Sequence, residues 1–112
     1  MGINLNHKKF KSVSNSVNGE VSDSTIFHYH QENEIIWAEY CGGDIHKGFL
    51  IGKMINQTLE FTYQHLNQSL EIMTGKCKTH IELNEEDKIE LHEKWEWTCK
   101  DFSKGKSILI EV

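Results

Sequence analysis

What constrains this chain most is the near absence of a helical period. Apolar and polar residues alternate with a spacing of two, and short clusters of Gly, Asn, Asp and Ser interrupt the alternation. Proline, which cannot donate to a hydrogen-bonded ladder, is missing altogether. The first extended run covers about Lys8 to Ser16 and ends in Val17-Asn18-Gly19-Glu20. Asn-Gly between two extended runs is a strong hairpin signal, because a type I′ turn needs φ > 0 at both central residues. A second strand is therefore expected from Glu20 to Gln31, turning at Glu32-Asn33-Glu34 into EIIWAEYC. Cys41-Gly42-Gly43-Asp44 leads into IHKGFLIGKMI, and Asn56-Gln57-Thr58 separates that run from LEFTYQHL. Asn67-Gln68-Ser69 precedes LEIMTGKCKTHIEL, Asn84 to Asp87 turns into KIELHEKWEWTC, and Lys100 to Lys106 delivers SILIEV.

Eight sequential strands with short connections make an antiparallel meander. Left open, the sheet would offer two unpaired edges to other chains; closing it removes both. The expected fold is all-β: an eight-stranded antiparallel up-and-down barrel, with a flatter eight-stranded sandwich as the alternative. Eight strands leave an interior that side chains just fill or that holds one small ligand. Gly48, Gly52 and Gly75 lie within strands, where glycine commonly marks a bulge or a barrel corner. At 112 residues, the whole chain fits one domain of the usual size, roughly 100–150 residues.

Alternation also predicts what points inward. Aromatic residues fall together on one face of several strands, and burying a ring removes about 150–250 Å² from water. The clearest case is Leu91, Glu93, Trp95 and Trp97 against Glu90, His92, Lys94 and Glu96. Leu59, Phe61, Tyr63 and His65 form a second set, Phe27, Tyr29 and Gln31 a third, and Ile35, Trp37 and Glu39 a fourth. The expected ligand-lining residues are thus Tyr29, Gln31, Trp37, Glu39, Phe61, Tyr63, His65, Glu93, Trp95 and Trp97. Ile26, Ile36, Tyr40, Leu50 and Met54 would then give the outer face an apolar character suited to a homodimer.

The polar groups among the inward set are the informative ones. An acid inside an apolar barrel must be paired, hydrogen-bonded or neutral. Glu39 and Glu93 either fix the register near the rims or line a ligand cavity whose walls are Trp and Tyr rings. An enzyme of isomerase or hydrolase type, using Glu93 or Glu39 with His65 as an acid–base pair, is the alternative to pure binding.

Other chemistry finds little purchase. The charge is −5 and every fixed cation is Lys, which argues against a nucleic-acid partner tracking phosphates with Arg. His28 and His30 share a strand face and could hold a metal with His92 or Glu96, but no further ligand has diagnostic spacing, so no metal is expected. HEKWE lacks the second His of a zinc-protease helix, and no GxSxG elbow, P-loop or GxGxxG fingerprint occurs. No cofactor is called for. Three widely spaced cysteines, Cys41, Cys77 and Cys99, read as reduced thiols. With no secretory leader pattern in MGINLNHKKFKSV and no run of roughly 20 apolar residues, the expected location is cytoplasmic and away from membranes.

The segments FKSVSNSVNGEVS, TIFHYHQ, IIWAEYCGG, YQHLN, MTGKC and LHEKWEWT together resemble a family of small, uncharacterised bacterial proteins of about this length. The resemblance covers nearly the whole chain and implies an avidin- or calycin-like β-barrel that captures a small molecule. Some members carry the label N-acetylglutamate synthase. An acetyltransferase of the usual kind needs an αβ fold and a Gly-rich pyrophosphate loop; this chain has neither, nor any Arg for the cofactor's phosphates, so that label is not expected to hold.

Overall fold

A computed structural model describes residues 3–112. It is all-β, with strands β1 (Lys8–Asn15), β2 (Ile26–Glu32), β3 (Ile35–Gly42), β4 (Ile45–Ile55), β5 (Thr58–Asn67), β6 (Ile72–Leu83), β7 (Ile89–Trp97) and β8 (Lys104–Glu111). Each strand pairs antiparallel with its sequence neighbour, and β8 returns to β1, closing the barrel in simple up-and-down order. The closed barrel expected from the alternation is the fold, and the open sandwich is not. Among the described residues no helix is long and apolar enough to cross a membrane.

Closure leaves two ends. The chain before β1 plugs one of them, the base: Leu5 is fully buried beside Phe10, Tyr29, Ile36, Leu59, Ile81, Leu91 and Leu109. The β1–β2, β3–β4, β5–β6 and β7–β8 connections surround the other end, the mouth.

Register corrects the inward set on β3 and β4. Directly paired residues share a face, and the pairs Tyr29↔Ala38 and Phe27↔Tyr40 carry Ala38 and Tyr40 inward with their partners. Ala38↔Leu50 and Met54↔Leu59 propagate the same face into β4 and β5. Hence Ile36, Tyr40, Leu50 and Met54, expected outside, are core. Trp37 and Glu39, expected inside, point outward, where the Trp37 ring stacks on His30 at 5.4 Å and Glu39 bonds the His30 imidazole at 2.9 Å. Both faces of β3 are apolar, so its alternation alone carries no sign.

Two further expectations fail for packing reasons. Asn18-Gly19 is a turn, with the Gly19 amide donating to the Ser16 carbonyl, yet neither residue has φ > 0 and no hairpin forms there. β2 begins at Ile26 rather than Glu20; residues 16–25 instead fold across the mouth, held by contacts to other strands. Gly48, Gly52 and Gly75 do not sit at bulges either. Register shifts fall at Ser12–Ser14, Tyr40–Gly42 and Ile45–Lys47. Gly48, Gly75 and Gly105 are places where a ring lies against the backbone: a Cβ on Gly75 would collide with Tyr63, one on Gly105 with Trp95, and one on Gly48 would stand 2.5 Å from Tyr40.

Candidate functional site

Below the mouth the barrel encloses a cavity of about 40 Å³. Phe27, Tyr40, Leu50, Phe61, Tyr63, Trp95 and Trp97 supply the large apolar groups of its wall. Strand alternation puts these rings inside, and pairing with the glycines lets them fold flat against neighbouring strands. Trp95 and Trp97 lie edge to face at 5.5 Å, and Trp97 meets both Tyr63 (5.8 Å) and His65 (5.9 Å) edge on. Both indole N–H groups are satisfied at the mouth, Trp95 by the Asn15 side chain at 3.3 Å and Trp97 by the Asn18 carbonyl at 3.1 Å.

Two polar stations interrupt this wall. At the first, Glu93 on β7 faces Ser107 on β8, whose hydroxyl donates to Glu93 Oε1 at 2.7 Å. Burial pushes the Glu93 carboxyl up to about 7, against the pull of the Ser107 hydrogen bond. Its charge and the surrounding apolar wall raise the neighbouring Cys77 thiol far above its usual range, chiefly through burial.

The second station is His65 on β5. Its Nε2 lies 2.7 Å from Glu20 Oε1, and its Nδ1 lies 2.9 Å from the Tyr40 hydroxyl. Burial lowers the His65 pKa, outweighing the pull of Glu20, and so favours the neutral ring. A carboxylate can only accept, so Nε2 carries the proton and Nδ1 accepts from Tyr40. Glu20 is also bonded by Asn67 Nδ2 at 3.1 Å.

Of the ten residues expected to line a ligand, Phe61, Tyr63, His65, Glu93, Trp95 and Trp97 are brought together around the cavity. Tyr29 is inside but deeper, fully buried near the base. Gln31 is at the base itself, accepting from the Leu5 amide at 2.9 Å and donating to the Asn33 carbonyl at 2.9 Å. Trp37 and Glu39 are on the outer surface. Sequence reasoning missed Tyr40, Glu20 and Ser107, and placed Phe27 inside without counting it among the ligand-lining residues. The two-residue connection 33–34 would have revealed Tyr40, since it fixes Glu32↔Ile35 and thereby Phe27↔Tyr40. Nothing local marks Glu20, which reaches the site from a loop.

No curated protein and no solved structure matches the chain. Residues 3–112 do match the family model described as avidin-like protein. A closed eight-stranded meander with a cavity in its interior accords with that match, and the chain belongs to the avidin-like protein family.

Proposed function

We propose that this barrel binds a small organic molecule in the cavity beneath its mouth and does no chemistry on it. The carrying observation is the cavity itself: an aromatic wall with two convergent polar stations, Glu93–Ser107 and His65–Tyr40, in a fold whose interior is suited to one small ligand. Membership of the avidin-like family supports the same reading. Catalysis is less well served. A general base needs a free nitrogen or oxygen facing its substrate, whereas both nitrogens of His65 are already engaged and one Glu93 oxygen holds Ser107.

A fragment screen read by NMR of the Trp95 and Trp97 indole N–H signals tests this. Binders should shift both signals while leaving the outward Trp37 signal in place. If every binder moved Trp37 alone, or no fragment bound, the reading would fall.

The reading extends to self-association. Trp37, Phe49 and Ile51 stand together on the outer face of β3 and β4, with Phe49 54% and Ile51 60% exposed and Trp37 directly opposite Ile51. This row, rather than Ile36, Tyr40, Leu50 and Met54, is the apolar surface through which two copies would pair.

A further inference from the structure

β1 pairs with β2 only over Lys8–Lys11, so the chain between them crosses the mouth as a loop rather than as ladder. The loop is pinned at intervals: Asn18 Nδ2 donates to Ser103 Oγ and the Lys104 carbonyl, both at 3.0 Å, and Asn15 Nδ2 donates to the Val21 carbonyl at 2.6 Å. Between those pins Glu20 dips inward. Its two oxygens meet two N–H donors of the barrel proper, His65 Nε2 at 2.7 Å and Asn67 Nδ2 at 3.1 Å. His65 and Asn67 are two residues apart on β5, hence on one face, and both are buried. The barrel therefore presents two buried donors to the Glu20 carboxylate, His65 Nε2 and one N–H of the Asn67 amide, whose nitrogen also donates to Glu71 Oε1 at 2.9 Å; the Glu20 carboxylate comes from the one part of the cavity wall that is not strand.

We propose that the His65–Asn67 pair is the receptor for the carboxylate of a small carboxylic acid with an apolar body, and that Glu20 occupies it in the free protein as a tethered stand-in that the ligand displaces. The proposal rests on the reading of the barrel as a small-molecule binder and names the ligand class for it. Size supports it. With Glu20 seated the cavity is about 40 Å³, room for on the order of three waters, whereas ligand pockets run to roughly 300–1,000 Å³. Gly19, Glu20 and Val21 line the cavity from the loop side, so lifting this segment enlarges it without breaking a strand pair. Chemistry supports it too. Exchanging one carboxylate for another leaves both donors bonded, each to its own charged oxygen, whereas a cationic or donor-only group would strand a buried N–H and a neutral carbonyl offers one uncharged oxygen for the two. The rings of Trp97 and Tyr63, beside His65, offer the apolar body its seat.

Competition by a tethered group lowers the apparent affinity by the fraction of time the receptor is open. Benzoate and hexanoate, with benzamide as the neutral control, should be titrated against the full chain, Glu20→Ala and Glu20→Gln by tryptophan fluorescence. Glu20→Ala is expected to bind the two acids at least ten-fold more tightly than the unaltered protein, and Glu20→Gln, which keeps the loop packing, should also gain. Benzamide, with a single uncharged carbonyl oxygen, should gain less from either change than the acids do, and adding His65→Phe to Glu20→Ala should abolish the acids' gain. Equal affinity for the acids in all three proteins, or an equal gain for benzamide, overturns the carboxylate receptor while leaving small-molecule binding intact. Failure of acids, amide and screened fragments alike would overturn both.

Discussion

Glu93 and Ser107 stand directly opposite each other on β7 and β8, and the hydroxyl of one meets the carboxyl of the other at 2.7 Å inside an aromatic wall. One hydroxyl cannot replace the water that a carboxylate loses, so the acid holds its proton up to about pH 7, against an ordinary value of 4.5.

That shift sets the sign of a pH effect. The folded protein binds this proton more tightly than the unfolded chain, so Glu93 makes stability fall as pH rises from about 4.5 to about 7 and stay lower above it. The difference amounts to about 3 kcal/mol. Glu93→Gln should therefore be more stable than the parent at pH 8 by roughly that amount and nearly equal to it at pH 4. His65, whose lowered pKa costs stability on the acid side, acts in both proteins and cancels in the comparison. Urea denaturation of the pair at four or five pH values is the measurement; a pH-independent difference would contradict the assignment.

Tyr29 buries its hydroxyl with no hydrogen-bond partner, while its ring packs edge on against Phe10 at 5.2 Å. Tyr29→Phe removes an unpaired polar group without opening a void. The variant should be at least as stable as the parent, with a gain of about 1 kcal/mol. A loss of stability in a denaturant titration would mean that the hydroxyl has a partner, most simply an ordered water.

Gly105 lies against the Trp95 ring, across the ladder from it. A methyl group there collides with an indole that neighbouring rings hold in place, so Gly105→Ala should destabilise by about 1–3 kcal/mol, as overpacked cores do. Gly105→Ala combined with Trp95→Leu should recover part of that loss. The double-mutant cycle, read by thermal unfolding, checks both statements.

The outward Phe49 and Ile51 bear on assembly. If two copies pair through this row, the double variant Phe49→Glu/Ile51→Glu should sediment as a monomer at concentrations where the parent does not, with its barrel intact by circular dichroism. A parent that is monomeric at high concentration would remove the dimer.

Much of this fold can be read from the chain because strand alternation is a local property. Leu91, Glu93, Trp95 and Trp97 show their inward face to anyone counting by two, and Leu59 through His65 do the same. Turn residues such as Gly43 and Asn56, both at positive φ, mark where the strands reverse. β3 is different. In EIIWAEYC both faces are apolar, and only pairing with Phe27 and Tyr29 sends Tyr40 inward and Trp37 out. A slip of one residue would have exchanged them.

Residue order along the chain was enough to specify that eight ribbons would alternate, turn and close, and that an acid and an imidazole would be carried inside with the rings. It did so because side-chain direction in a strand depends on nothing beyond parity. Packing in three dimensions is what makes residues 16–25 abandon a hairpin for the mouth and brings the Glu20 carboxylate to His65, 45 residues away. That contact is a balance of burial and hydrogen bonding between distant segments, and no local pattern encodes it.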